Sequence, residues 1–325
     1  MESFSGKLAV VTGGGSGMGR ELTRQLAAQG CSVATCDIHP DTVAETAAMA
    51  QAGAPAGVLV TGHHCDVADE AQVLRFRDDL LAQHGAGHLN LVFSNAGIGG
   101  GGSFINEPRE EWERVFAIDF WGTYHCARAF LPLLIAGDEG VLVNTSSVNG
   151  FWAALFPGAP QTAYSAAKFA VRGFTEALIE DLRTNAPHVR VAVVMPGHVG
   201  TNIVANSLRI LGMPDLAKLS DAELDAARPA LARRGLAAQD MPAAELRQLL
   251  ETINAGFRDS AQVSAAEAAT VILDGVRAGS WRILIGKDAE ALDRMVRSQP
   301  GSAYDWDELT RQAGQAPGES VWNAS

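Results

Sequence analysis

Two hydrophobic rhythms alternate along this chain. Short runs that are apolar at most positions, Leu8 to Thr12, Ser32 to Cys36, Gly57 to Gly62, Leu89 to Ser94, Val141 to Thr145, Val189 to Val194 and Trp281 to Ile285, predict strands buried in a parallel sheet. Amphipathic stretches lie between them: Ser16 through Leu22 and Leu26 to Gly30, Asp41 to Gln51, Glu70 to Gln83, and Trp112 to Leu134. These predict helices, the first closed by Gly30 as a C-terminal cap. Strands alternating with helices build right-handed crossovers. The expected fold is therefore a doubly wound parallel α/β sheet forming one domain, with ligands outside the carboxyl ends of the strands.

The rhythm changes after Thr201. Residues 202–260 are expected to form two or more amphipathic helices. Ser220-Asp221-Ala222-Glu223 has the spacing of a capping box, and Pro242 sits where a helix can begin ahead of Leu246, Leu249, Leu250 and Ile253. We expect this insert to cover the sheet edge as a lid with its apolar face inward. A membrane-surface helix or a subunit contact would use the same face. Ser264 to Glu267 caps one further helix, and 288–325 reads as a helical extension that turns polar after Pro300.

The first strand stops at Gly13-Gly14-Gly15-Ser16-Gly17-Met18-Gly19. Glycines permit positive φ and close approach of a ligand to the backbone, while a helix starting near Ser16 points free N–H groups at an anion. This suits a dinucleotide pyrophosphate. The second strand ends on Asp37, 18 residues beyond Gly19. A carboxylate there accepts hydrogen bonds from both adenosine ribose hydroxyls and repels a 2′-phosphate, so NAD is favoured over NADP. Neither Ser16 nor Ile38 offers a compensating positive charge, and helical geometry is expected to turn Arg20 elsewhere. The run His63-His64-Cys65-Asp66 is contiguous and lacks a second ligand group at metal-binding spacing, so no metal is expected. The glycines of Gly99 to Gly102 form either a mobile wall of the site or a plain flexible loop.

Tyr164 and Lys168 lie four residues apart in a segment read as helical, on one face. A free tyrosine has a pKa of about 10, and using it as a base near neutrality means lowering that by about 3, or roughly 4 kcal/mol. A fixed positive charge a few ångströms away supplies about that at an effective dielectric near 20. Ser146 and Ser147, after the fifth strand, bring a hydroxyl to the same sheet edge.

Composition and charge narrow the setting. The chain has 325 residues, 47% of them hydrophobic, enough for one large core with an inserted cap. Its net charge of −12 argues against a nucleic-acid partner or an anionic membrane surface. Four cysteines without a CxxC pair fit reduced thiols in a cytoplasmic protein, and no segment approaches the length of a membrane span.

Taken together, Thr12 to Gly19, Asp66, Asn95-Ala96-Gly97, Ser147, Tyr164 with Lys168, and Pro196-Gly197 with Thr201 make the chain resemble the short-chain dehydrogenase/reductase family of NAD(P)-dependent oxidoreductases. The likeness covers roughly residues 5–201 and resumes at the last strand. It implies a Rossmann-type sheet of seven parallel strands, in homodimers or homotetramers joined through the helices that contain Asp119 and Tyr164. It also implies that Tyr164 is the acid/base, that Ser147 holds the substrate oxygen, and that Lys168 binds the nicotinamide ribose and lowers the tyrosine pKa. Ser147 is preferred over Ser146 because it stands three residues before Gly150, as the family's serine does. The glycine turn (Gly13, Gly15, Ser16, Gly17, Met18, Gly19), Asp37, Asp66 with Val67, and Asn95, Ala96 and Gly97 would hold the cofactor. Pro196, Gly197, Val199 and Thr201 would hold its nicotinamide end.

Two positions depart from the family pattern. Asp119 stands where the family has an asparagine that helps hold a water relay to the lysine, and an ionised carboxylate cannot donate. The interval from Ser147 to Tyr164 is four residues longer than the common spacing, and Phe151 to Pro157 there either lines a pocket or packs. The reading is an NAD-dependent oxidoreductase acting on a lipophilic secondary alcohol or ketone. A dinucleotide-binding sensor or scaffold without turnover is the alternative from another class, and an epimerase or dehydratase the alternative enzyme.

Overall fold

Buried parallel strands need apolar side chains on both faces, and the sequence supplies them at seven places. The computed structural model describes residues 1–155, 160–212, 219–233 and 238–305. In chain order these form β1 (Leu8–Thr12), α1 (Gly17–Ala28), β2 (Ser32–Asp37), α2 (Pro40–Ala52), β3 (Val60–His64), α3 (Glu70–His84), β4 (Leu91–Ser94), α4 (Arg109–Phe116), α5 (Gly122–Ile135), β5 (Gly140–Thr145), α6 (Thr162–Asn185) and β6 (Val189–Pro196). There follow β7 (Val199–Gly200), α7 (Ile203–Ile210), α8 (Asp221–Arg233), α9 (Ala243–Asp259), β8 (Val263–Ser264), α10 (Ala265–Ala278), β9 (Arg282–Ile285) and α11 (Lys287–Ser298).

Seven of the strands form one parallel sheet in the order β3-β2-β1-β4-β5-β6-β9. Alternation along each strand feeds two cores. Val10, Val92, Leu142 and Val191 pack with Phe76, Leu80, Phe130 and Leu178 beneath α3, α5 and α6. Ala9, Val11, Phe93, Val143 and Val194 pack on the other face with Leu22, Leu26, Ile272 and Val276 of α1 and α10. The order reverses at β1 and β4, leaving the crevice that doubly wound sheets use for ligands.

Local chemistry sets most element ends. Asp69 caps α3 by accepting from the N–H groups of Ala71 and Gln72, and Gly85 ends it at φ 59°. Ser264 and Glu267 form a reciprocal capping box on α10, and Ser220 and Glu223 form the same pair of bonds at the start of α8. Pro242 precedes the first residue of α9.

Three expectations are corrected. The third strand runs Val60–His64, not Gly57 to Gly62, because it pairs in register with Val33–Asp37 and takes in both histidines. His63 packs on the Phe76 ring at 4.9 Å and shares a hydrogen bond with Thr61. The helix expected from Trp112 to Leu134 starts at Arg109 and is interrupted by a single π-helical turn, Ala117–Trp121, around Asp119. The insert does not turn the apolar faces of α8 and α9 toward the sheet edge. Leu219, Leu224, Leu231, Leu246 and Leu250 bury one another in a separate small core that reaches Leu208 of α7. A two-residue parallel pair, Val199↔Val263 and Gly200↔Ser264, closes the base of this insert.

The segment after Ser147 packs rather than lining a pocket. Phe151, Trp152 and Leu155 are buried with Val193, Met195, Ala289 and Leu292, so this extra length bonds α11 to the sheet. Phe156 and Pro157, and the polar tail beyond 305, lie outside the described residues. Among the described residues, no helix is long and apolar enough to cross a membrane. Trp152 is fully buried, and Trp152→Ala is expected to cost about 3–5 kcal/mol. Chemical denaturation of the two proteins checks this, and a change within about 0.5 kcal/mol would deny the segment that packing role.

Candidate active site

Strands β1 and β4 pair only as far as Val11↔Phe93. Beyond that point the Thr12 hydroxyl joins them: it donates to the Phe93 carbonyl at 3.4 Å and accepts from the N–H groups of Asn95 and Ala96 at 3.0 and 3.1 Å. The Asn95 amide donates to the Thr12 carbonyl at 3.2 Å. This brings Asn95-Ala96-Gly97 against the glycine turn. A Cβ on Gly13 would stand 2.8 Å from Ala96 Cα, and one on Gly19 2.1 Å from the Gly13 carbonyl oxygen. No side chain fits at either position.

Helix α1 begins at this turn without a side-chain cap, so its first N–H groups have no side-chain partner. They face a cleft of about 940 Å³ of open space, lined by Gly13, Ser16, Gly17 and Met18 with Asp37, Asp66, Val67, Asn95, Ala96, Gly97 and Thr201. The uncapped turn, the absence of a Cβ at Gly13 and Gly17 and the carboxylate of Asp37 fit a dinucleotide. Asp37 is held in place by the N–H groups of Gly15 and His39, at 2.9 and 3.0 Å. Asp66 accepts from Ala68 N–H and pairs with Arg114 at 2.7 Å.

Of the expected cofactor positions, Gly15, Gly19, Tyr164, Lys168, Pro196, Gly197 and Val199 are not among the residues lining the cleft, and the last three build the turn after β6. Pro196 ends β6, and Gly197 bonds to the Ile285 carbonyl and packs on the Asp288 carboxylate. Val199 pairs with Val263. These residues fix the turn that carries Thr201 to the cleft. Arg20 also differs from expectation: its guanidinium stays beside the turn, on the Gly15 carbonyl and Glu45, both at 2.7 Å. The loop Gly99 to Gly102 is tied down. Gly99 N–H donates to Ser207 at 2.8 Å, and the carbonyls of Gly101 and Gly102 accept from Ala163 and Thr162 N–H at 3.0 Å.

Behind Gly97, which lines the cleft, stand Lys168 and Asp119, and with them Tyr164 and Ser147. The Lys168 ammonium lies 5.5 Å from the Tyr164 ring centre, donates to the Thr145 carbonyl at 3.2 Å and reaches Asp119 Oδ1 at 3.4 Å. Both charged groups are buried. The π-helical turn aims Asp119 at this point, where Oδ1 also accepts from Ile98 N–H at 3.0 Å. Burial pushes the Asp119 carboxyl up to about 6, against the pull of Lys168 and the Ile98 bond. Burial likewise raises the Tyr164 phenol above its ordinary value. Lys168 and a hydrogen bond from Ser147 oppose that rise, and Asp119 adds to it.

The two serines divide. Ser146 donates to the Lys168 carbonyl at 2.8 Å and is committed to the α6 backbone, whereas Ser147 faces the phenol. Ser147 is held by Asn149, whose N–H donates to it at 3.2 Å. The Asn149 amide in turn donates to Gln161 at 2.7 Å and Ser165 at 3.2 Å. Sequence reasoning passed over Asn149 and Gln161, since no spacing rule links them before α6 packs beside the strand end. It also missed Ile203, Asn206, Arg209 and Ile210 of α7, which line the cleft. Among the described residues, no group of three His, Cys, Asp or Glu side chains is arranged to hold a metal.

Known proteins agree with this architecture. The chain is 35% identical over 304 residues to SadH of Mycobacterium tuberculosis, covering 94% of each. It is 31% identical over 203 residues to meso-2,3-butanediol dehydrogenase of Serratia marcescens, covering 62% of this chain and 74% of that one. A short-chain dehydrogenase/reductase from Burkholderia phymatum, solved in complex with NAD, superimposes with a TM-score of 0.69 over 99% of both chains at 26% identity. Residues 7–209 match the family model for short chain dehydrogenases, and with the seven-stranded sheet this places the chain in the short-chain dehydrogenase/reductase family of oxidoreductases.

Proposed function

We propose that this protein interconverts a lipophilic secondary alcohol and its ketone, with NAD as the hydride carrier and Tyr164 as the proton-transfer group. The observation that carries this reading is the meeting of the Tyr164 phenol, Ser147 hydroxyl and Lys168 ammonium behind Gly97, a residue lining the cleft that also holds Asp37. A bound nicotinamide supplies the hydride acceptor or donor. Everything else falls to side chains. Ser147 donates to the substrate oxygen and fixes it beside the phenol, steadied from behind by Asn149. Tyr164 takes the hydroxyl proton during oxidation and returns one during reduction. Lys168 favours the phenolate by its charge.

Asp37 supports NAD, because a 2′-phosphate would meet its carboxylate. Support for a lipophilic substrate rests on Ile98, Ile118, Ile203 and Ile210 along the cleft rather than on α8 and α9. Burial and Asp119 hold the phenol above its ordinary value while Lys168 and Ser147 oppose them, so alcohol oxidation is expected to quicken as pH rises.

Pairing of two copies through α4–α5 and α6 is also proposed. An aromatic row crosses that face: Trp112 on Phe116 and Phe116 on Phe120 at 5.4 Å, and Trp121 on Tyr124 at 5.6 Å. Trp121 and Phe169 stand exposed beside it.

The direct test is cofactor reduction followed at 340 nm with a panel of secondary alcohols. We expect turnover with NAD, at least about tenfold less with NADP, and a loss of about 10²–10⁴-fold in Tyr164→Phe with NAD affinity kept. Tight NAD binding without turnover of any alcohol or ketone would instead favour a dinucleotide sensor. Asp119 is ionised above about pH 6, so Asp119→Asn removes a negative charge near the phenol and lowers its pKa. The acid limb of the oxidation rate is then expected to move down by about one pH unit; an unmoved limb would remove Asp119 from the electrostatics of Tyr164. For the pairing, Trp121→Arg is expected to halve the mass seen by light scattering, and a monomeric wild type would contradict it.

A further inference from the structure

The proposed dinucleotide cleft is one-sided in charge. Its lining carries two carboxylates, Asp37 and Asp66, and a single arginine or lysine, Arg209 on α7. Asp66 is matched by Arg114. Asp37 is bound only by backbone N–H groups. A dinucleotide brings two further negative charges on its pyrophosphate, and the N-terminus of α1 offers partial charge only, equivalent to about half an elementary charge.

We propose that α7 is a clasp for the cofactor's pyrophosphate, with Asn206 and Arg209 closing over the start of α1. This rests on the dinucleotide reading above and assigns it two residues outside the glycine turn. Asn206 and Arg209 stand three residues apart on one helix face, and both line the cleft. The Asn206 amide donates to the Ser16 hydroxyl at 3.0 Å, joining α7 directly to the residue that opens α1. Arg209 Nη2 lies 3.4 Å from Asn206 Oδ1, which holds the guanidinium one side chain away from the uncapped N–H groups. Arg209 is exposed, and among the described residues no carboxylate pairs with it.

The helix that carries these groups is fixed to the sheet. Buried Ser207, between them in sequence, accepts from Gly99 N–H at 2.8 Å and donates to the Ile203 carbonyl at 2.5 Å. Thr201, just before α7, sits against Gly17, 3.2 Å from where its Cβ would be. Only the long side chain of Arg209 must move to meet a phosphate. A guanidinium presents parallel donors to two phosphate oxygens, a match that lysine lacks. Arg209 also lies near enough to His39 for its charge to help depress that imidazole, after burial. His39 belongs to the ribose end, but a 2′-phosphate there would face Asp37, so the pyrophosphate is the destination.

Calorimetric dissociation constants for NAD, NADP, ADP-ribose and adenosine test this on wild type, Arg209→Ala, Arg209→Lys and Asn206→Ala. Arg209→Ala is expected to weaken NAD, NADP and ADP-ribose by about tenfold, the value of one charge-assisted bond, and to leave adenosine unchanged. NAD binding by this variant should also lose part of its salt dependence. Arg209→Lys should recover part of the loss, and Asn206→Ala should show a smaller one. The unliganded melting temperature of Arg209→Ala should match wild type, because the side chain is exposed. Unchanged NAD affinity in Arg209→Ala overturns the clasp alone, and a loss confined to NADP overturns it in favour of a 2′-phosphate contact. Failure of wild type to bind any dinucleotide overturns both the clasp and the function it rests on.

Discussion

The whole site depends on a threonine hydroxyl that works where a strand ladder stops. Parallel strands β1 and β4 must diverge at the reversal of strand order, and the backbone groups beyond Val11 and Phe93 lose their partners across the gap. Thr12 bridges it with three hydrogen bonds, which settle where Asn95-Ala96-Gly97 lies against the glycine turn. From that contact follow the entry angle of α1, the position of Gly97 beside Asp119 and Lys168, and the cleft between them. An unpaired backbone donor here would cost about 1–3 kcal/mol, so the crevice is as much a solution to hydrogen bonding as a binding site.

Charge is arranged along the cleft as deliberately as shape. Behind Gly97 a buried lysine and a buried aspartate meet, and each affects the phenol in the opposite sense. An asparagine at position 119 could bond to Ile98 and Lys168 without adding charge. The carboxylate instead ties the protonation of residue 119 to that of Tyr164, two groups whose proton affinities depend on each other. Within the cleft Asp37 is presented by backbone N–H groups, leaving its remaining acceptor capacity for a ligand. All four thiols are free and buried; Cys65 lines the cleft, and burial raises Cys31 to about 12 against the pull of Lys7 and a backbone hydrogen bond.

The insert after Thr201 separates two jobs. Helices α8 and α9 satisfy their apolar faces on each other, so they need no substrate to be stable. Helix α7 alone turns toward the cleft, and Ser207 pins it there. Variation in α8 and α9 can then proceed without disturbing the residues that face the ligand.

Much of this was written in local patterns. Apolar runs marked the strands, a glycine turn followed by a helix marked the uncapped start of α1, and Tyr164 with Lys168 declared a shared helix face, because each depends on neighbours within a few residues. The capping boxes at Ser220 and Ser264 were legible for the same reason. Tertiary structure decided the rest, since burial and partner choice depend on residues far apart in sequence. Only the fold shows that β3 is shifted by its pairing to β2, that the apolar faces of α8 and α9 close on each other, and that Trp152 packs under α11. The environment of Asp119 and the approach of Asn206 to Ser16, 190 residues away, likewise come from packing that no periodicity encodes.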